Sequence, residues 1–105
     1  MADWEVKKGN YGWQQQFTVK EKDGSVKDLT GYTVTLKVWS NSTLKFSGEC
    51  TLDADPTSGK CYYPVQNIDF NTAGSFLGEL ELTKAGEKLD TKTFTVFVGK
   101  TAPAA

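Results

Sequence analysis

Residues 74 to 98 read GSFLGELELTKAGEKLDTKTFTVFV, and this stretch constrains the fold more than any other. In its first arm Phe76, Gly78, Leu80 and Leu82 alternate with Leu77, Glu79, Glu81 and Thr83. In its second arm Phe94, Val96 and Val98 alternate with Thr93, Thr95 and Phe97. A period of two belongs to a strand with one face buried and the other in water. The link Ala85-Gly86-Glu87-Lys88 is polar and carries a glycine, as a hairpin turn requires. The rest of the chain must supply strands for this hairpin to pack against.

Upstream, the same signals recur. A first edge strand is expected within residues 1 to 12, around Trp4 and Val6, and a second over Trp13 to Glu21 with Gln15, Phe17 and Val19 on one face. Asp23-Gly24 is a turn signal, and Asp28-Leu29-Thr30-Gly31 crosses over, Leu29 plugging one end of the core. Tyr32 to Trp39 is a clear strand, with Tyr32, Val34, Leu36 and Val38 facing inward. After the polar loop Ser40-Asn41-Ser42-Thr43, short strands are expected at Leu44 to Phe46 and Glu49 to Asp53, broken near Ser47-Gly48. A turn at Asp55 to Gly59 leads into a strand from Lys60 to Val65, where Pro64 marks an edge or bulge. Gln66 to Ala73 reads as a corner in which Ile68 and Phe70 close the other end of the core. No stretch keeps a helical period. Seven to eight short strands with frequent turns imply an all-β, immunoglobulin-like antiparallel β-sandwich, a single domain over residues 1–99 with a mobile tail at 100–105.

Composition narrows function mainly by exclusion. Twelve basic and thirteen acidic residues give a net charge of -1 with no basic run, which is unlike a nucleic-acid binder. No apolar run is long enough to span a membrane, and the first residues lack the pattern of a signal peptide. The chain contains no histidine, which removes histidine-based nucleophile activation and most zinc sites. No cofactor motif is present either, and no nucleophile elbow or phosphate loop, so an enzyme is not expected.

The order of signals resembles a known family. Phe17 to Val19, Asp23-Gly24 and Asp28-Leu29-Thr30-Gly31 lead into Thr33-Val34-Thr35-Leu36. Gly59-Lys60 then enters Tyr62-Tyr63, Gly74-Ser75-Phe76 enters Glu79-Leu80-Glu81-Leu82, and Thr93-Phe94-Thr95-Val96 follows. Across roughly residues 13 to 98 this is similar to the immunoglobulin-like N-terminal domain of phage baseplate upper proteins, its most specific pieces being DG, DLTG and GxFxxEL in that order. The resemblance implies a structural part of a tailed-phage virion, assembled in the host cytoplasm, that docks to other virion proteins and can self-associate. In that family a long chain carrying a receptor-binding module follows the domain. Because this sequence ends at Ala105, a cut domain and a small stand-alone protein such as a head decoration or adaptor protein both stay open.

Asp53, Asp55 and Ser58 offer oxygens to calcium but lack the distant glutamate of an EF-hand, so a solvated turn is the simpler reading and no metal is expected. Glu79 and Glu81 share an outward face, where paired carboxylates most simply keep a sheet soluble. Trp4, Trp13, Trp39, Tyr11, Tyr62 and Tyr63 could instead form a sugar-stacking platform, which makes a carbohydrate-binding module the alternative function. Cys50 and Cys61 flank one turn. A register placing them face to face favours a disulfide, and one placing Leu52 opposite Cys61 leaves two buried thiols, the outcome favoured for a protein assembled in the cytosol.

The candidate partner-binding residues are Trp39, Leu77 and Phe97, three apolar side chains that interrupt a polar pattern on outward strand positions. Their strands should be neighbours in an immunoglobulin-like sheet, with Leu77 directly opposite Phe97 and the hairpin turn centred on Glu87. The competing expectation is that a terminal segment carrying Trp4 and Val6 covers them.

Overall fold

The computed structural model describes residues 4–21, 23–66, 68–91 and 93–99; the tail expected after Gly99 lies outside them. In chain order the elements are β1 Trp4–Lys7, β2 Gln14–Thr18, β3 Thr33–Ser40, β4 Thr43–Leu52, a 3₁₀ turn Pro56–Ser58, β5 Lys60–Pro64, β6 Gly74–Lys84, β7 Glu87–Asp90 and β8 Phe94–Gly99. The strands run β1-β8-β6-β3-β4-β5-β2, with β7 beside the far end of β6. This path curls on itself into an all-β, sandwich-like fold. β4 belongs to both layers: residues up to Cys50 pair with β3, and Thr51 and Leu52 pair with β5.

The inward rows are those the alternation dictates. Val34, Leu36, Val38, Leu80, Leu82, Val96 and Val98 are buried, and Leu29 and Phe70 close the ends. Ring edges lock the interior where the layers meet. Trp4 packs edge-on against Phe17 at 5.6 Å and Phe70 at 5.2 Å between centroids. Asp69, buried with the apolar side chains, accepts the Tyr63 hydroxyl proton at 2.6 Å and the Gln66 amide at 2.9 Å. Both bonds satisfy a carboxylate that would otherwise be costly to bury. Burial and this bond together raise the Tyr63 phenol well above its ordinary value.

Four expectations change. β4 is one continuous strand rather than two, because Gly48 lets the Tyr63 ring lie across it: a Cβ there would sit 2.5 Å from Tyr63 Cε1. Ile68 is 67% exposed, so Phe70 alone of that pair plugs the core. The sheet is not purely antiparallel, since β1 joins β8 in parallel, Trp4 beside Val96 and Lys7 beside Gly99. Finally, Leu77 stands opposite Thr95 and Phe97 opposite Ser75, two residues from the expected register. The turn falls at Ala85-Gly86, and an extra residue between β7 and β8 bulges out, with Thr91 exchanging hydrogen bonds with Leu80 through its amide and hydroxyl. The cysteines follow the second register: Leu52 lies opposite Cys61, and both thiols are free and buried. Their mutual hydrogen bond, with burial, holds the Cys50 thiol above its ordinary value.

Two glycines in strands face aromatic rings, and the surroundings rank the cost of replacing them. A Cβ on Gly78 would lie 2.6 Å from Phe94 Cε2, but Phe94 is only half-buried and can swing. Tyr63 is held by Asp69 and stacks on Phe46 at 5.8 Å, so it has nowhere to go. Gly48→Ala should therefore lower unfolding free energy by about 2–3 kcal/mol and Gly78→Ala by about 1 kcal/mol or less, overpacking being offset in part by the stiffer unfolded chain. Urea denaturation of the two variants checks the order.

Candidate docking surface

The outer face of the β3–β6–β8 layer carries the sequence-predicted residues. β6 occupies its centre because Leu80 and Leu82 are buried there, which turns Leu77, Glu79 and Glu81 outward. Trp39 on β3 pairs directly with Leu77, and Leu77 pairs with Thr95 on β8. Phe97 lies one step along, opposite Ser75 on β6 and beside Glu5 on β1. It is thus the diagonal neighbour of Leu77, roughly 7–8 Å away in such a ladder and within reach of an aromatic side chain. Leu77 is 40% exposed, Phe97 43%, and Trp39 is half-buried.

Local geometry aims Trp39. The β3–β4 hairpin closes through Asn41 and Ser42, both left-handed at φ 51° and 67°, which is the conformation a two-residue hairpin loop demands. The ladder then slips between Val38 and Trp39, leaving Lys45 as the extra residue. A bulge of this kind bends the strand and redirects its side chains. Beside it runs a groove of about 560 Å³, with Ser40, Asn41, Leu77, Thr95, Phe97 and Glu5 on its walls. Ser40, Asn41, Ser75 and Glu5 were not foreseen as neighbours of the patch; their places follow from the register shift and from β1, neither of which a period of two encodes.

Trp4 and Val6 do not cover this face. They point inward from β1, which extends the layer sideways instead of crossing it. Nor do the six aromatic residues weighed as a sugar platform gather in one place. Trp4 and Tyr63 are core, Tyr62 binds Asp53 on another strand pair, and Tyr11 stands exposed in a loop.

Away from the patch the same face is ionic. Lys37 binds the Glu81 carboxylate, which Lys88 also approaches at 3.4 Å. The Lys37 bond, then Lys88, holds the Glu81 carboxyl below its ordinary value. At the end of the inward row, on the opposite side of the layer, Lys84 lies 4.4 Å over the Tyr32 ring, whose hydroxyl donates to Glu87 at 3.2 Å. In the turn before β5 the carboxylates are spent on local bonds. Asp53 accepts from Tyr62 at 2.6 Å, which holds it below its ordinary value, and Asp55 accepts from the Thr57 amide at 3.1 Å. The described residues contain no cluster suited to a metal ion.

A family model described as the BppU N-terminal domain matches residues 5–103. No curated protein matches the sequence. Among solved structures the chain is similar to CopC from Methylosinus trichosporium OB3b, with a TM-score of 0.56, 10% identity, and coverage of 100% of this chain and 91% of that one. At that identity the likeness is one of fold alone.

A depressed carboxyl stabilises the folded state above its unfolded value and loses that contribution as pH falls through the folded one. Glu81→Gln should therefore be less stable than the parent at neutral pH. The gap should close as pH drops below the ordinary glutamate value of 4.5, and thermal melts across that range check it.

Proposed function

Because the chain belongs to the BppU N-terminal domain family, a structural domain of the phage baseplate, we propose that it is a non-enzymatic module that docks onto other virion proteins through Trp39, Leu77 and Phe97. The observation that carries this reading is the apolar cluster on three adjacent strands, which no other described residue covers. A small soluble domain gains nothing from exposing an aromatic ring and a leucine where threonines serve equally well in a strand. Exposed clusters of this kind mark interfaces, and their aromatic members dominate the binding energy. The polar rim of Ser40, Asn41, Ser75, Thr95 and Glu5 suits the wet border of such a contact.

Baseplate membership argues against head decoration, and the separation of Tyr11, Tyr62, Tyr63 and Trp39 from one another weighs against the sugar-binding alternative. The docked partner is a protein surface with a complementary apolar pocket and a largely uncharged border.

Trp39→Ser and Phe97→Ser should each weaken binding to the cognate baseplate protein by about 2 kcal/mol or more. Their thermal midpoints should move little, because neither ring is part of the inward row. Calorimetric titration beside thermal melts tests this. Variants that unfold the isolated domain, yet bind normally per folded molecule, would place the residues in the core and sink the reading.

A further inference from the structure

β1 ends the strand path, with β8 as its one ladder neighbour among the described residues. The Lys8 amide donates to Gly99 at 2.8 Å, which fixes the phase of this parallel ladder. Backbone groups of alternate residues point to opposite sides of a strand. Lys8, Val6 and Trp4 therefore present theirs to β8, while Glu5 and Lys7 present theirs to the free edge. The Lys7 carbonyl accepts the Asn10 amide at 3.1 Å and keeps a second lone pair. All four residues of β1 line a cleft of about 550 Å³ whose other walls carry Asn10, Trp13 and Gln15, and Glu5 and Lys7 themselves are exposed.

We infer that this edge pairs with the same edge of a second copy, antiparallel about Val6. The charges argue for that occupant. A two-fold axis at Val6 sets Glu5 of each copy directly opposite Lys7 of the other, which are the two residues whose backbone groups face outward. Each Glu5–Lys7 pair then exchanges two ladder hydrogen bonds, and its side chains, both exposed and in no ion pair among the described residues, meet as opposite charges on one face. A parallel or shifted pairing brings like charges together or leaves these groups unmatched. Edge strands guard themselves against unwanted pairing with charge; here the guard is self-complementary and therefore selects its own copy. The joined layers make one continuous sheet across the dimer, and Phe97, beside Glu5 in each copy, brings the two apolar patches onto a single surface. The inference stands apart from the docking reading, which concerns the sheet face and not its edge.

Analytical ultracentrifugation of the purified chain from micromolar to millimolar concentration tests it. The expected result is a concentration-dependent doubling of mass, with amide exchange at Glu5 and Lys7 slowing as dimer forms. Lys7→Pro removes an outward amide and spares the β8 ladder, and it should weaken the dimer about tenfold or more. Glu5→Lys should weaken it comparably, the double swap Glu5→Lys with Lys7→Glu should restore it, and Trp39→Ser should leave it unchanged. The charge variants fold independently of any strain the proline introduces. A chain that stays monomeric throughout, a dimer indifferent to the charge swaps, or one abolished by Trp39→Ser would each overturn the inference.

Discussion

The alternation of β6 is the constraint from which the outer surface follows. Leu80 and Leu82 are buried beside Leu36 and Val34 of β3, and each contributes about 1.5–3 kcal/mol by leaving water. Sliding the strand by one residue would exchange them for Glu79 and Glu81 and bury two carboxylates. The register is therefore fixed by the core, and Leu77 is outward as a consequence. What the core does not dictate is that Leu77 be a leucine, or that its neighbours be Trp39 and Phe97. Thr33, Thr35, Thr83 and Thr95 occupy equivalent outward positions with polar side chains. The apolar exceptions sit together on adjacent strands, at one end of the face, and the ion pairs of Lys37, Glu81 and Lys88 sit at the other.

Much of this was legible in the sequence because burial on one side of a strand writes itself as a period of two. The inward rows of β3, β6 and β8 follow from that pattern, whereas the neighbour order of the three strands was expected from the immunoglobulin-like topology and the plugs Leu29 and Phe70 from apolar residues set between strands. The features that escaped it are non-local. β1 finds β8 in parallel across more than ninety residues of chain, a pairing no local signal announces. The turn at Ala85-Gly86 comes earlier than a centre on Glu87 would put it, and the extra residue near Thr91 recovers only part of the offset, so Phe97 stands opposite Ser75 and not Leu77; the polar run from Lys84 to Thr93 reads equally well as turn or strand. Gly48 resembled a break in β4, yet it is the clearance for the Tyr63 ring, a fact visible only once β5 is laid beside β4. Ile68 looked like core by its chemistry alone.

The candidate site was legible in its residues and not in its surroundings. Trp39, Leu77 and Phe97 could be named as outliers, but the Asn41-Ser42 loop, the bulge that redirects Trp39 and the flanking Glu5 needed the three-dimensional register. Together they make a shallow, mostly uncharged surface with aromatic anchors. Ser40, Asn41, Ser75, Thr95 and Glu5 border it.

The central claim is that the β3–β6–β8 face is buried in the assembled particle, and hydroxyl-radical footprinting reads this directly by comparing the free chain with the intact baseplate. The account predicts that oxidation of Trp39, Leu77 and Phe97 falls severalfold on assembly while exposed Tyr11 and Ile68 change little. Equal oxidation of the three residues in both states would contradict it.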